Sequence, residues 1–199
     1  MDDAIMFVIA TNNLGKLREI CSVLGPLGIG CMSLGEAGVD IEVEETGMTF
    51  YENALLKARA VCSATGKPAI ADDSGLVVEA LGGAPGVYSK RFGGGLDDRG
   101  LCLHLLQKME GMEQRGAKFV CSVVAAFPGG DTISAEGECH GEIALGLSGG
   151  GGFGYDPVFW LPSKGRTMAQ LTQEEKSEIS HRGNALRGLA TMLKSRCGI

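Results

Sequence analysis

The sequence predicts an α/β protein, and three stretches carry that expectation. Residues 5–10 form a continuous apolar run that favours a strand, followed by a polar loop and then by helical patterning. Residues 69–71 form a second buried-strand run that breaks into Asp72-Asp73-Ser74-Gly75, so polar chemistry is expected at a strand end. Residues 118–127 and 132–140, separated by Pro128-Gly129-Gly130-Asp131, read as a two-stranded hairpin. At 199 residues with 44% hydrophobic content, the chain fits one domain over 1–199, able to bury roughly 70% of its unfolded surface.

Composition excludes several classes. A formal charge of -6 argues against a nucleic-acid binder that depends on a broad basic surface, so cations for an anionic ligand must be gathered locally. The seven cysteines (21, 31, 62, 102, 121, 139 and 197) are odd in number and far apart, which predicts buried free thiols in a reducing compartment. No charged-then-apolar leader and no apolar run near 20 residues are present, so a soluble, cytoplasmic protein is expected. The 32 glycines cluster between patterned segments and mark long loops.

Taken in order, the strand at residues 5–10 feeds Thr11-Asn12-Asn13-Leu14-Gly15-Lys16. Leu17, Ile20, Cys21 and Leu24 then recur at helical spacing until Gly25-Pro26. The loop therefore sits at a helix N-terminus, where free N–H groups favour an anion. It lacks the first Gly and the Ser/Thr after Lys of a Walker A loop, and a plain Asn-rich turn is the alternative. Glu42, Glu44 and Glu45 precede a capping box, Thr49 with Glu52, and a helix to about Thr65 in which Asn53 and Lys57 share a polar face. Carboxylates on separate segments, here Glu44-Glu45 and Asp72-Asp73, suit a hard divalent cation, whereas an acidic solvated turn is the plain reading of the glutamates. Side-chain alternation points Asp72 and Asp73 to opposite faces, and an Asp-Asp-Ser-Gly turn is the competing reading.

Asp97 or Asp98 can cap a helix carrying Leu101, Leu105 and Met109, and His140 reads as a surface residue of the hairpin. Residues 149–154 match GxGxxG, yet Asp156-Pro157 and the apolar Val158-Phe159-Trp160 predict extended chain after them, so the dinucleotide reading fails. The loop still offers Phe153 and Tyr155, which either stack a planar ligand or anchor the loop to the core. A second capping box, Thr172 with Glu175, is followed by Lys176, by Ser180-His181-Arg182 and by a helix with Leu186, Leu189, Ala190 and Leu193 on one face. Cations at that helix start conflict with the helix dipole unless an anion or electron-rich atom is present.

Six ordered blocks then carry a resemblance. They are Ala10-Thr11-Asn12-Asn13-Leu14-Gly15-Lys16, Glu44-Glu45-Thr46-Gly47-Met48-Thr49-Phe50, Ala71-Asp72-Asp73-Ser74-Gly75-Leu76, Gly82-Gly83-Ala84-Pro85-Gly86-Val87-Tyr88-Ser89, Phe153-Gly154-Tyr155-Asp156-Pro157-Val158-Phe159 and Ser180-His181-Arg182-Gly183. Together they resemble the Ham1/RdgB-type inosine triphosphate pyrophosphatase family nearly end to end. The resemblance implies an elongated, two-lobed α/β fold with a mixed β-sheet flanked by helices, a nucleotide cleft between lobes, and a homodimer. It implies magnesium-dependent hydrolysis of the purine nucleoside triphosphates ITP, dITP and XTP to monophosphate and pyrophosphate. By the same resemblance, Thr11, Asn12, Asn13, Leu14, Gly15, Lys16 and Lys57 hold the triphosphate. Glu44, with Glu45 as the alternative, and Asp73 bind the metal. Asp73 is also the general base, and Ser74 touches substrate beside it. Phe153, Gly154, Tyr155 and Asp156 form the base pocket, which Lys176, His181 and Arg182 close, with Arg182 donating to a 6-keto oxygen. Two rivals remain: a pyrimidine-directed pyrophosphatase, which should lack the Ser-His-Arg block, and a non-catalytic nucleotide-binding module.

Overall fold

The computed structural model describes residues 5–197, with the Cys197 side chain outside the described residues. Seven strands form a mixed sheet: β1 (Met6–Ile9), β2 (Gly30–Met32), β3 (Ala69–Val78), β4 (Gly116–Ala126), β5 (Thr132–Ile143), β6 (Phe159–Leu161) and β7 (Arg166–Thr167). Their order is β2-β1-β3-β4-β5-β6-β7, with β1 parallel to both neighbours and β6 antiparallel to β5 and β7. Five helices accompany them: α1 (Leu14–Leu24), α2 (Phe50–Thr65), α3 (Asp98–Lys108), α4 (Gln173–Ile179) and α5 (His181–Cys197). The α/β expectation is met.

The chain divides into two compact units, each discontinuous in sequence. Among the described residues, the first comprises residues 5–73, 121–137 and 181–197. Its strands alternate strictly. Phe7, Ile9, Ile70, Cys121 and Val123 pack with Ile20 and Leu24 of α1 and with Leu186, Leu189 and Leu193 of α5. Val8, Ala10, Ala69, Ala71 and Val124 pack on Ala54, Ala58 and Val61 of α2. The period of two thus sends α1 and α5 to one face and α2 to the other. Gly137 of β5 lies so close to the start of α5 that an added Cβ would collide with the His181 carbonyl. The second unit comprises residues 74–120 and 138–180. Leu76, Leu101, Leu105, Met109, Phe119, Tyr155 and Phe159 are among its core residues, with the Phe119 and Phe159 rings 4.4 Å apart.

Several local expectations hold. The Thr49/Glu52 and Thr172/Glu175 capping boxes are present, and Asp97 caps α3 by accepting from the Gly100 N–H. The six cysteines whose side chains are described are free thiols. Among the described residues no helix is long and apolar enough to cross a membrane. Two expectations are corrected. The strand does not end at Asp72: β3 runs on through Asp72-Asp73-Ser74-Gly75 to Val78, because partners on both faces neutralise the carboxylates. After the glycine loop, Asp156–Val158 is a short 3-10 helix before β6, since the fixed φ of Pro157 suits a helical first turn.

Candidate active site

On the first unit, α1 begins directly after the loop that follows β1. Asn13 caps it, its side chain accepting from the Lys16 N–H at 3.0 Å, and no acidic residue occupies the first turn. Thr11 Oγ1 accepts from the Asn13 N–H at 3.2 Å, which folds the loop onto the helix start. Asn12 reaches the Ile41 carbonyl, Leu14 is exposed, and Gly15 is the second helical residue. The loop thus leaves a helix N-terminus with a positive dipole end, as the sequence suggests.

The alternation along β3 decides the fate of the two carboxylates. Asp72 shares the face of Ile70, towards α1 and α5. Its Oδ2 meets Lys16 Nζ at 3.0 Å and Arg182 Nε at 3.1 Å, and its side chain is fully buried. Arg182, 1% exposed, also binds Glu19 of α1. Burial alone would raise the Asp72 carboxyl, but Lys16 and Arg182 outweigh it and hold it far below the usual carboxylate range. The Arg182 guanidinium is likewise pushed further up by Asp72 and Glu19, against the burial that would lower it.

Asp73 shares the face of Ala69 and Ala71, towards α2. Asn53 Nδ2 donates to its Oδ2 at 3.0 Å, and Lys57 Nζ stands 3.6 Å from its Oδ1. Lys57 is bound more closely by Glu45, at 2.6 Å. Burial dominates at Asp73 and leaves its carboxyl above the ordinary value, because Lys57, Lys16 and Asn53 offset desolvation only in part and Glu45 opposes them. Burial would lower Lys57, yet Asp72, Asp73 and Glu45 keep its ammonium above its ordinary value.

On the second unit, the base-pocket candidates form a tight polar knot. Asp156, 3% exposed, accepts from the Phe153 N–H at 2.9 Å and from Lys176 Nζ at 2.7 Å, and Lys176 Nζ lies 4.6 Å from the Phe153 ring centroid. Gly152, at φ +72°, leaves the space that the Asp156 carboxylate fills; a Cβ there would strike Oδ2. The Gly154 N–H donates to Asp98 at 2.7 Å. A cavity of about 370 Å³ opens beside this loop, lined by Asp98, Arg99, Leu147 and residues 148–154.

The structure sorts the predicted residues. It gathers Lys16 and Lys57 on the paired carboxylates, and Phe153, Asp156 and Lys176 on one another. Ser74 follows Asp73 on β3, and His181 is buried at the first turn of α5. Three further positions have contacts that the sequence did not reveal. Tyr155 is 4% exposed in the core, its hydroxyl donating to the Ser89 carbonyl at 2.7 Å, so it anchors the loop and does not present a stacking face. Arg182 is paired with Asp72 and Glu19 at the start of α5. Of the two glutamates, Glu45 reaches the Lys57–Asp73 pair, while Glu44 is exposed. Sequence reasoning missed Glu19 and the contacts of Asn53. Glu19 stands one helical turn from Lys16, a spacing that could have flagged it.

Among the described residues no group of three or more His, Cys, Asp or Glu side chains is arranged to hold a metal. The oxygens of Asp73 and Glu45 nevertheless fit magnesium, which is commonly held by one or two carboxylates together with substrate phosphates.

A mixed α/β sheet with half-buried lysines gathered on adjacent strand carboxylates defines the class: an α/β protein equipped for acid–base chemistry on an anionic small molecule. The chain belongs to the Ham1 family, whose model matches residues 7–192. It is 51% identical to a dITP/XTP pyrophosphatase of Synechocystis sp. over 183 residues, 92% of each chain. It is 47% identical to the dITP/XTP pyrophosphatase of Bacillus subtilis over 191 residues, covering 94% of this chain and 96% of that one. Among solved structures, the Staphylococcus aureus Ham1 protein matches with a TM-score of 0.85 at 43% identity, covering 96% of this chain and 99% of that one. A HAM1 protein from Coxiella burnetii matches with a TM-score of 0.87 at 41% identity and the same coverage.

Proposed function

We propose that this chain hydrolyses non-canonical purine nucleoside triphosphates, ITP, dITP and XTP, to the nucleoside monophosphate and pyrophosphate, removing them from the nucleotide pool. Membership of the Ham1 family and the names of its relatives support that activity. The observation on this molecule that carries it is Asp73. Its carboxyl is buried and raised, and is held by one amide and one ammonium. A carboxylate so placed orients the attacking water and accepts its proton as the bond between the α- and β-phosphates breaks.

The remaining residues act on binding. The α1 N-terminus with Thr11, Asn12, Asn13, Leu14 and Gly15, together with Lys16 and Lys57, receives the triphosphate, and the ammonium groups exchange part of their carboxylate pairing for phosphate oxygens. Ser74 contacts substrate next to the base. Magnesium, held by Asp73 with Glu44, or with Glu45 as the alternative, would supply neutralisation of phosphate charge and acidification of water. Phe153 stacks the purine, while Gly154, Asp156, Lys176 and His181 shape its pocket. Hypoxanthine and xanthine carry a 6-keto acceptor where adenine has an amino donor. Arg182, which offers only donors, is suited to that oxygen, as is Lys176 beside Phe153; each exchanges part of its pairing with a buried carboxylate, Asp72 for Arg182 and Asp156 for Lys176, to reach it. One domain over 1–199, a homodimer and a cytoplasmic site of action complete the reading.

Pyrophosphate release with magnesium from ITP, dITP, XTP, ATP, GTP and dTTP tests it. The first three should turn over, and Asp73→Asn should lower kcat by about 1,000-fold, within the range for loss of a general base. Turnover of dTTP alone would favour a pyrimidine pyrophosphatase, and binding without turnover would favour a nucleotide-binding module.

A further inference from the structure

Asn53 ties two parts of the catalytic carboxylate's surroundings together. Its side chain is fully buried on the fourth residue of α2, inside a stripe otherwise made of Ala54, Ala58, Val61 and Cys62. Asn is a poor helix former, and an amide in apolar surroundings is unfavourable unless both its ends are bonded. Both are. Nδ2 donates to Asp73 Oδ2 at 3.0 Å, and Oδ1 accepts from the Gly47 N–H at 2.8 Å. Chemistry fixes the direction of this bridge, because a backbone N–H can only donate and an ionised carboxylate can only accept.

We propose that Asn53 is a positioning residue for Asp73, one amide fixing both the carboxylate and the backbone of the acidic loop that carries Glu44 and Glu45. This rests on the reading of Asp73 as the general base. The terminal torsion of an aspartate is broad and roughly two-fold, so the two oxygens of Asp73 are not distinguished by its own rotamer. The Asn53 bond distinguishes them: Oδ2 is held by the amide, and Oδ1 is left towards Lys57. At its other end the amide draws the loop in so closely that residue 47 must lack a side chain. A Cβ on Gly47 would lie 2.7 Å from Asn53 Oδ1 and 2.7 Å from Glu52 Cβ. Loop and base are therefore registered to each other through Asn53, with Glu45 two residues before Gly47 reaching the same lysine as Asp73.

Two substitutions separate this role from simple loop anchoring. Asn53→Asp keeps an acceptor for the Gly47 N–H but replaces the donor to Asp73 by a second carboxylate oxygen, which repels it; Asn53→Ala loses both bonds without adding a charge. Steady-state pyrophosphate release from dITP should show kcat reduced by about 100-fold in both variants, the scale of a misplaced reacting group. In Asn53→Asp, KM should stay within about three-fold of the unmodified chain, because the Gly47 bond that holds the acidic loop is kept and the α1 N-terminus that receives the triphosphate is untouched. In an Asp73→Asn background, neither change at Asn53 should lower the residual rate further, since residues acting as one unit are non-additive. Thermal melts establish that each variant is folded. An Asn53→Asp variant with unchanged kcat, or a full additional loss in the Asp73→Asn background, overturns the inference while leaving the parent activity intact. Absence of pyrophosphate release from the unmodified chain with all three nucleotides overturns the parent reading and the inference with it.

Discussion

Asp72 and Asp73 are consecutive residues of β3, yet the two faces of the strand treat the same carboxyl group in opposite ways. Towards α1 and α5, Asp72 meets Lys16 and Arg182, and the attraction outweighs burial. Towards α2, Asp73 meets an amide and a lysine already claimed by Glu45, and burial wins. The number and closeness of the cations on each face make the difference, not depth alone: Lys16 and Arg182 stand 3.0 and 3.1 Å from Asp72, Lys57 3.6 Å from Asp73. A carboxylate gripped by close cations is a fixed structural anion. One held more loosely retains affinity for a proton, which a general base requires.

The largest expected effect that breaks this symmetry is on stability. Asp72→Asn removes the charge facing Arg182 and Lys16 and should destabilise the fold by about 3 kcal/mol. That is the low end for breaking a buried ion pair, because Glu19 still faces Arg182. Asp73→Asn, expected to cost most of the turnover, should leave stability unchanged or raise it by up to about 1 kcal/mol, since it removes a charge that burial opposes. Urea unfolding of both variants in the absence of magnesium checks the pair; equal losses would sink the distinction.

Titration sharpens the same contrast. The folded Asp72 carboxyl lies below its unfolded value of 3.8, so its contribution is present above that value and is lost as pH falls through the folded one. Asp73 has the reverse sign. Its folded carboxyl lies above 3.8, so stability is fully present below that pH and declines as pH rises through the folded value. The penalty of Asp72→Asn should therefore shrink as pH is lowered from about 5 to about 3, whereas any gain from Asp73→Asn should grow as pH rises above about 4. Unfolding free energies of the two variants against pH, measured in chelator, would show slopes of opposite sign.

The opposed directions of Asp72 and Asp73 were legible in the sequence because a period of two is a local property. So were the caps Thr49, Asp97 and Thr172, whose partners lie three residues away. The continuation of β3 through four polar or flexible residues was not, because what stabilises it comes from far along the chain. Arg182 lies 110 residues from Asp72 and 163 from Glu19, and Asn53 lies 20 from Asp73. Local pattern carries no trace of such pairings. That is also why Arg182 reads in sequence as a cation at a helix start awaiting an external anion. Its anions are internal. Which of Glu44 and Glu45 reaches Lys57 was not legible for a related reason: residues 33–49 contain no regular strand or helix that would fix which side chain faces inward.

Phe153 and Tyr155 repeat the contrast on a smaller scale, two aromatic rings in one loop with different commitments. The Tyr155 ring is in the core and its hydroxyl is bonded to Ser89, whereas Phe153 is half-buried with the Lys176 ammonium against it. Phe153→Leu should raise KM for dITP by roughly 10-fold, the scale of losing one base–aromatic stack, with little change in melting temperature. Tyr155→Phe keeps the ring and removes a single buried hydrogen bond, so it should lower stability by about 1 kcal/mol and leave kcat and KM alone. The informative failure is the second one. If Tyr155→Phe raised KM as much as Phe153→Leu, the loop would be recognising the base through its anchor as well as through its exposed ring. The separation of core residue from binding residue, drawn here from burial, would then not hold for this loop.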